Sequence, residues 1–480
     1  MAETHDSESG RALVEAVTGP EFVMRCLFWW VVILGGLAVV GYLAAFINSQ
    51  YLGLGYPYNT FLFIPQVRFS DFTIYYWRFT HFGTSQFWGS GSAGPVTVSN
   101  WPFTYPAPAA YIYLLFFRLV PHNPTLAAKA YDATVAAVSV VATTLLATSV
   151  RRSRLAWPST AILLLTLVTS YPLMLVIDRA NTEGGAWFFA ILGAWAFVRG
   201  RPRIAAILFG LAASIKLAPL ALIFLLLRTR DWKASALFVG TFLVTNILAM
   251  WLMAPGFFQV SRHILRGLLF FERTYVLGFR GTEIGFDHSL FSICKQVAAW
   301  ICYGLGGSLN DVLAMASVSY YFYCAAWLAA GMALIWRFRK LPVLNCIFGT
   351  VVVELIAPPV SGDGTLLYLY FPWAVFVLVF LLQDVYSGRV SFPLSKVLAI
   401  LVPCAIAFTP QECYLLLPYS VGFAGQVKAL ALAYLLYFVM KNPLPCKTFG
   451  EMPAANGGAM PTRSACMVQA NIGQQVSGAP

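Results

Sequence analysis

The hydrophobic positions of the chain form long apolar segments, which are separated by short basic or proline-containing stretches. Many of these segments stay apolar over more than about 18 residues, and a helix of that length crosses the ~30 Å hydrocarbon core of a bilayer. The alternating apolar and polar pattern of a transmembrane β-barrel is not present. We therefore predict an all-α polytopic membrane protein, a helical bundle with about 12 membrane segments, some of them short or broken.

Composition supports this class of protein. Of the 480 residues, 59% are apolar and 10% are charged, and the mean hydropathy is +0.72. A soluble domain carries about a quarter of its residues charged. The net charge of +12 is typical of basic cytoplasmic loops in a membrane protein, so we expect no nucleic-acid partner. The cysteines are scattered without a CxxC pair, which indicates neither a disulfide framework nor a metal site.

Four basic clusters predict the topology, because basic loops stay in the cytoplasm. They are RRSR (Arg151 to Arg154), RGRPR (Arg199 to Arg203), RTRDWK (Arg228 to Lys233) and RFRK (Arg337 to Lys340). This placement divides the chain into a cytoplasmic head (1–25), a membrane domain (26–440) and a disordered cytoplasmic tail (441–480). We expect the domain to lie in the cytoplasmic (inner) membrane, with two long extracytoplasmic loops, 48–124 and 254–308, that carry interfacial helices. One of these is the short apolar segment 105–120.

The segment IAAILFGLAASIKLAPLALIFLLL has basic clusters at both ends, and its middle carries Lys216 and Pro219. A single crossing would put one cluster on the wrong side of the membrane. Proline breaks a helix, and a lysine at mid-membrane is costly unless it faces a wet cavity. We predict two half-depth helices that meet near Ser214–Pro219. The alternative is one tilted helix with a snorkelling lysine.

Most acidic residues beyond the N-terminal head, and all histidines beyond it, fall in predicted outer loops or outer helix ends. A catalytic or binding pocket is therefore expected at the outer face. Asp71 lies in the aromatic stretch RFSDFTIYYWRF, where it is either a helix N-cap or a reactive carboxylate. Asp178 and Arg179 in IDRANTE are interpreted as a compact charged turn, for which an internal ion pair is the alternative to a role in the pocket. Asn181 and Glu183 are within reach of the pocket.

The second outer loop carries a basic strip against the positive-inside trend, which favours an anionic ligand. It includes Arg262 and Arg266. The alternatives are neutralisation by nearby glutamates and contact with lipid headgroups. Asp287 and His288 precede an apolar helix, so Asp287 is either a cap or a pocket residue. His288 either orients a phosphate or an acceptor hydroxyl, or satisfies backbone groups.

Four passages carry a resemblance that covers roughly residues 26–440. They are SDFTIYYW with the later WPFTYPAPAAYIYLLFFRL, IDRANTEGGAW with the following Leu-Lys-x-x-Pro core, FDHSLFSICKQ, and APPVSGDGTLLYLYFP. In order and spacing they resemble the GT-C superfamily of membrane glycosyltransferases, and most of all glycosyltransferase family 87, which includes polyprenyl-phosphate-mannose-dependent α-1,2-mannosyltransferases. The chain departs from the family pattern at Arg179-Ala180, where Gly-Gln is usual, at Asp287-His288, where Asn-Gln is usual, and at SGDG, which lacks a histidine often seen at that turn. These departures leave the donor sugar and the acceptor open.

The resemblance implies a GT-C-type bundle and an inverting hexosyltransferase that works on the extracytoplasmic face. Asp71 would be the general base for an acceptor hydroxyl that attacks the sugar C1, while the lipid phosphate leaves. The residues expected to bind the donor phosphate are Lys216, Arg262, Arg266 and His288. The residues expected to line the substrate pocket are Tyr75, Tyr76, Tyr105, Asn181, Asp287 and Asp363. The expected partners are a polyprenyl-phosphate sugar donor, an acceptor that is a glycan, a glycolipid or a protein, and the bilayer. Mannose is the first candidate for the sugar. Neither a cofactor nor a metal is expected.

Two other functions compete with this one. A transporter or flippase of lipid-linked sugars would also carry intramembrane charges, although carriers usually concentrate them at the midplane and show repeat symmetry. A non-catalytic scaffold of a glycan-assembly complex is the third possibility.

Overall fold

The computed structural model of the chain describes residues 19–51, 61–65, 68–82, 84–88, 102–148, 156–253, 255–278, 287–338, 340–411, 414–415, 421–422 and 424–446. The predictions for the head up to residue 18, for the RRSR cluster and for the tail beyond residue 446 lie outside these residues. No part of the structure tests the proposed domain boundaries.

The described chain is almost entirely helical. In order, its α-helices are α1 (Pro20–Gln50), α2 (Ser70–Tyr76), α3 (Ala107–Leu119), α4 (Pro124–Thr148), α5 (Ala156–Thr169), α6 (Tyr171–Arg179), α7 (Glu183–Val198), α8 (Pro202–Ile215), α9 (Ile223–Thr229), α10 (Trp232–Leu252), α11 (Phe257–Phe271), α12 (Leu290–Gly304), α13 (Leu309–Phe338), α14 (Val343–Ile356), α15 (Tyr370–Val375), α16 (Leu394–Phe408) and α17 (Ala424–Lys441).

Other short elements connect these helices. The 3-10 helices are Phe61–Phe63, Trp77–His81, Ser85–Trp88, Ala218–Leu222 and Asp363–Leu369, and the π-helical turns are Glu272–Val276 and Phe376–Val385. A two-residue antiparallel pair joins β1 (Tyr414–Leu415) to β2 (Val421–Gly422), with Tyr414 opposite Gly422.

Among the described residues, five helical runs are long and apolar enough to cross a membrane: α1, α4, α10, α13 and the continuous run Asp363–Val385. The bent pair α5 and α6, with an angle of 49° between them, makes a sixth if it is one span. These runs confirm a helical membrane protein. They do not confirm about twelve segments, because the other apolar helices, such as α7 and α8, have only 10–17 residues.

The predicted break in the lysine-containing segment is confirmed. Helix α8 ends at Ile215, Lys216 has an extended backbone with φ −134° and ψ 142°, and a 3-10 turn with Pro219 leads into α9. The alternative of one tilted helix with a snorkelling lysine is therefore wrong. Proline cannot donate the hydrogen bond that would continue α8, so the chain changes direction at this point.

Three of the four basic clusters meet at one end of the bundle. Arg203 pairs with Asp231 at 3.5 Å, and Arg228 donates to the Leu341 carbonyl oxygen at 3.2 Å. In the same region, the Arg337 guanidinium donates to the Met440 carbonyl oxygen at 3.1 Å. Because α7 and α8 pack as antiparallel neighbours, the beginning of α7 and the end of α8 lie about 24 Å away, at the other end.

Aromatic side chains surround α2 at that other end. Phe72 packs against Tyr113 with ring centroids 4.9 Å apart, and Tyr75 packs against Phe103 at 5.0 Å. Each such edge-on pair contributes about 0.5–1.5 kcal/mol beyond the burial of its area. The aromatic stretch of the sequence is therefore a packed wall that fixes the beginning of α2.

The beginning of α17 touches the backbone before α12. A Cβ atom added to Gly425 would lie 2.5 Å from the Asp287 carbonyl oxygen and 2.7 Å from its nitrogen. Only glycine allows this approach, because two rigid backbones meet there and neither can yield as a flexible side chain would.

We predict that Gly425→Ala lowers the free energy of unfolding by about 1–3 kcal/mol, because the added methyl group separates α17 from Asp287. Thermal unfolding of the full chain in detergent measures the effect. Gly331→Ala is the matched control, since a Cβ at this helical glycine meets nothing within 4 Å. Equal midpoints for the two variants would show that the close approach is absent.

Candidate active site

One cavity of about 210 Å³ lies at the end of the bundle opposite the described basic clusters. Its walls come from the beginning of α2, the end of α6 with the turn into α7, the break after α8 and the beginning of the Asp363–Val385 run. The lining residues are Asp71, Leu175, Val176, Arg179, Asn181, Glu183, Lys216, Gly362, Asp363, Gly364 and Thr365. The cavity thus brings three carboxylates and two cations together.

The Asp71 carboxylate accepts three hydrogen bonds from the end of α6 and the turn that follows it. The Arg179 guanidinium donates from Nη2 to Oδ1 over 2.6 Å and from Nε to Oδ2 over 3.0 Å. The Asn181 amide donates to Oδ2 over 2.5 Å. A carboxylate has about four lone-pair sites, so these bonds leave room for one more donor. The side chain of Asp71 remains 15% exposed.

The alternative that Asp71 caps a helix is wrong. Helix α2 begins at Ser70, its N-cap is Phe69 in the left-handed conformation, and no side chain caps it. Asp71 is in the first turn of α2, where a negative charge interacts favourably with the helix dipole. Its oxygens point to another element instead of to the backbone of α2.

The protonation state of Asp71 follows from its neighbours. Burial alone would raise the pKa of the carboxyl, but the charge of Arg179, hydrogen bonds from Arg179 and Asn181, and the charge of Lys216 together lower the pKa below its ordinary value. Burial raises the pKa of the Tyr75 and Tyr105 hydroxyls. At neutral pH Asp71 is therefore a carboxylate, and the two tyrosines are neutral.

The turn that carries Arg179 and Asn181 is held in an uncommon conformation. Ala180 has φ 48°, in the left-handed region that costs a residue with a Cβ about 1–2 kcal/mol. The Tyr113 hydroxyl donates to the Ala180 carbonyl oxygen over 2.9 Å, and the Tyr131 hydroxyl donates to the Asn181 carbonyl oxygen over 2.5 Å. These bonds fix the turn so that both side chains reach Asp71.

The alternative that Asp178 and Arg179 pair with each other is wrong. Asp178 pairs instead with Arg68, at 3.2 Å, and its carbonyl oxygen accepts the Phe69 backbone N–H at 2.7 Å. Neighbouring residues on a helix point in different directions, so Asp178 and Arg179 bind two different residues of the segment that begins α2.

A second ion pair lies on another wall of the cavity. The Lys216 ammonium is 3.0 Å from the Glu183 carboxylate, and the Lys216 side chain is 23% exposed while Glu183 is buried. The same ammonium lies 5.0 Å from the centroid of the Tyr105 ring, a cation–π distance. Lys216 thus lines the cavity, as Asn181 does, and Tyr105 lies beside Lys216.

Tyr75 and Tyr76 belong to the wall behind Asp71. Tyr75 packs on Tyr105 with ring centroids 5.9 Å apart. The Tyr76 hydroxyl donates to the Val120 carbonyl oxygen over 2.7 Å. Neither residue lines the cavity, and their contact with substrate stays a prediction.

A third ion pair holds the segment before the Asp363–Val385 run. The Lys428 ammonium, on α17, donates to the Asp363 carboxylate over 2.8 Å, and both side chains are almost completely buried. The other Asp363 oxygen faces His288 Nδ1 at 3.6 Å. His288 Nε2 lies 3.2 Å from the Thr365 hydroxyl, so Thr365 separates the buried His288 from the cavity.

Asp287 is not the cap of α12, so that alternative is also wrong. The cap is Ser289, whose hydroxyl accepts from the Ser292 N–H. Asp287 accepts from the Ser289 N–H over 2.9 Å and from the Ser361 N–H over 2.8 Å. Asp287 thus connects the beginning of α12 to Ser361, just before the Asp363–Val385 run, and does not line the cavity.

Arg262 and Arg266 are exposed on α11 and do not line the cavity. Between them His263 stacks on Trp88 at 5.8 Å between ring centroids. The role of the two arginines in phosphate binding stays a prediction.

Three polar side chains of the site were not found from the sequence: Arg179 as the partner of Asp71, Thr365 and Lys428. A signal existed for Lys428, because a lysine near the start of an apolar helix is costly to bury without a partner. The pattern gave no signal for its partner, which lies 65 residues earlier in the chain.

We predict that Lys428→Met lowers the free energy of unfolding by about 3–5 kcal/mol, because it leaves the Asp363 charge buried without its cation. Thermal unfolding in detergent measures this change. The double variant Lys428→Met with Asp363→Asn should recover most of the loss. Lys396→Met, at an exposed lysine, is the control and should change stability little. An equal loss in the single and double variants would contradict the pairing.

Comparison with known families identifies the chain. The family model described as glycosyltransferase family 87 matches residues 103–359, more than half of the 480 residues. The matched region contains Arg179, Asn181 and Lys216 but not Asp71 or Lys428. A search of curated proteins finds no match. With this match, the apolar helices and the charged cavity at one end of the bundle, the chain belongs to glycosyltransferase family 87 and is a membrane glycosyltransferase.

Proposed function

We propose that this glycosyltransferase moves a hexose, with mannose as the first candidate, from a polyprenyl-phosphate donor to a hydroxyl acceptor on the extracytoplasmic face, with inversion and with Asp71 as general base. One observation carries the proposal: Asp71, Arg179 and Lys216 face the same cavity. Transfer from a lipid phosphate requires a proton acceptor for the incoming hydroxyl and positive charge for the departing phosphate. This cavity supplies both.

In the proposed reaction, the Asp71 carboxylate takes the proton of the acceptor hydroxyl. The hydroxyl oxygen attacks the sugar C1 from the face opposite the phosphate, and the new oxygen–carbon bond forms with inversion. The bond between C1 and the phosphate oxygen breaks, and its electron pair leaves with the lipid phosphate. Lys216 and Arg179 stabilise the charge on that phosphate, so the leaving group needs no proton.

The size of the cavity is compatible with one sugar ring. Its volume of about 210 Å³ exceeds the ~150 Å³ cavity that holds a benzene ring in another protein. A polyprenyl chain does not fit in this volume and would have to remain in the bilayer. The proposal therefore places the hexose in the cavity and the lipid tail between apolar helices.

Among the candidate phosphate ligands, the geometry favours Lys216. Its side chain is partly exposed to the cavity, whereas His288 is completely buried behind Thr365. Arg262 and Arg266 lie on α11, away from the lining residues, and would be reached only by a phosphate outside the cavity. Asp363 supports the wall through Lys428.

Purified full-length protein in liposomes tests the proposal. The liposomes contain labelled polyprenyl-phosphate mannose, and the acceptors are soluble mono- and disaccharides and membrane glycolipid. Label transferred to an acceptor supports the proposal. Label that crosses to the other leaflet on intact polyprenyl-phosphate mannose, without transfer, would support a flippase instead. Transfer from a nucleotide sugar but not from the lipid donor would contradict the donor class.

We predict that Asp71→Asn lowers the transfer rate by about 10²–10⁴-fold, the usual contribution of a general base, because an amide cannot take the proton. The rate is measured in the same liposomes at saturating donor, and thermal unfolding checks that the variant is folded. Asp231→Asn is the control: Asp231 caps α10 through its side chain, and asparagine caps about equally well. Undiminished transfer by Asp71→Asn would exclude Asp71 as the base.

A further inference from the structure

The contact between Asp71 and Arg179 presents a problem for a base. The guanidinium binds both carboxylate oxygens, and Asn181 adds a third hydrogen bond. Hydrogen bonds and positive charge stabilise the carboxylate and make it a weaker proton acceptor. In this arrangement Asp71 is ionised but poorly suited to remove a proton from a sugar hydroxyl.

The same arginine is positioned to interact with a ligand in the cavity. Arg179 lines the cavity, and its side chain is 23% exposed, as is that of Lys216. A guanidinium binds phosphate oxygens with the same two-pronged geometry with which it binds a carboxylate. Asp71 and a phosphate in this cavity would therefore compete for one cation.

We propose that Arg179 is a clamp on Asp71 that the donor releases: the phosphate of the bound donor takes hydrogen bonds of Arg179 from Asp71, and Asp71 becomes an effective base only in the donor complex. This inference rests on the proposed donor class and gives Arg179 a second role beside its contact with the donor phosphate. It makes proton removal conditional on the presence of the donor.

The titratable groups around Asp71 determine how strongly the release of Arg179 changes the basicity of Asp71. Asp178 and Arg179 face it from the end of α6, and Asn181 from the turn that follows. Lys216 faces it from the break after α8, and Tyr75, Tyr105 and Tyr113 from its own helix and the α3 region. The tyrosines are neutral and Asp178 is paired with Arg68. Among the residues that the structure describes, Arg179 and Lys216 are therefore the positive charges that lower the pKa of Asp71.

The coupling between donor and clamp is reciprocal. The donor phosphate and the Asp71 carboxylate compete for Arg179. Removing the charge of Asp71 must therefore strengthen donor binding, just as donor binding weakens the contact between Asp71 and Arg179. Asparagine keeps the shape of Asp71 without its charge, so Asp71→Asn mimics the released state. A residue with a merely structural role would not tighten the binding of donor when it is replaced.

The experiment measures equilibrium binding of polyprenyl-phosphate mannose to the full chain in nanodiscs without acceptor. This phosphodiester has a constant single charge across the pH range, so changes in affinity report on the protein. Asp71→Asn should bind the donor about fivefold or more tightly than the wild type. In the Arg179→Gln background, the same substitution should have little effect.

The double-variant comparison separates the clamp from simple repulsion between Asp71 and the phosphate. Repulsion alone would make the gain from Asp71→Asn persist without Arg179, and that result would overturn the clamp. Unchanged affinity in Asp71→Asn would also overturn it, while the proposed function would stand. Asp178→Asn is the matched control and should stay within about twofold of the wild type. If the wild type does not bind the donor, both the donor class and the clamp are wrong.

The pH dependence of transfer gives an independent readout. The acid limb of kcat/KM reports on the free enzyme, in which Arg179 lowers the pKa of Asp71, and the acid limb of kcat reports on the donor complex. Because release raises the pKa of Asp71, the kcat limb should lie at higher pH than the kcat/KM limb. Arg179→Gln should shift the kcat/KM limb to higher pH and narrow the gap. Coinciding limbs in the wild type would overturn the clamp.

Discussion

The pairing of buried carboxylates with cations from other parts of the chain is the constraint on which the site depends. Three pairs surround the cavity: Asp71 with Arg179, Glu183 with Lys216, and Asp363 with Lys428. An unpaired buried charge costs several kcal/mol, whereas a paired and hydrogen-bonded one is tolerated. The α2 region, the turn after α6, the break after α8 and α17 therefore converge at one end of the bundle.

The sequence predicted the helices and the break well, for physical reasons that act locally. Apolar length predicts a helix because a bilayer leaves no other way to satisfy the backbone. The combination of Lys216 and Pro219 predicted the interruption between α8 and α9, since both a charge and a missing N–H oppose a continuous helix. The number of membrane crossings could not be predicted from apolar length, because helices such as α7 and α14 are apolar but short.

The partners within the site depend on tertiary geometry that a pattern does not contain. Asp71 and Asn181 were both candidates from the sequence, but the only partner considered for Arg179 was its neighbour Asp178. In the structure, the left-handed Ala180 is held by the Tyr113 hydroxyl, and the preceding Arg179 points toward Asp71. Asp71 lies 108 residues earlier in the sequence. His288 was a candidate as a direct ligand, yet Thr365 lies in front of it. The residue types of the site were predictable from the sequence, whereas the directions in which their side chains point were not.

The balance of charge in the cavity has a consequence for any anionic ligand. The three carboxylates are matched by Arg179, Lys216 and the buried Lys428, so these pairs attract a phosphate only weakly until one of them opens. Lys428 is completely buried and its pair cannot open toward the cavity. The two pairs that contain the partly exposed Arg179 and Lys216 can open, and the carboxylates they would release are Asp71 and Glu183. Of these, Glu183 is 2% exposed and Asp71 is 15% exposed, so Asp71 is the carboxylate that a hydroxyl in the cavity can reach.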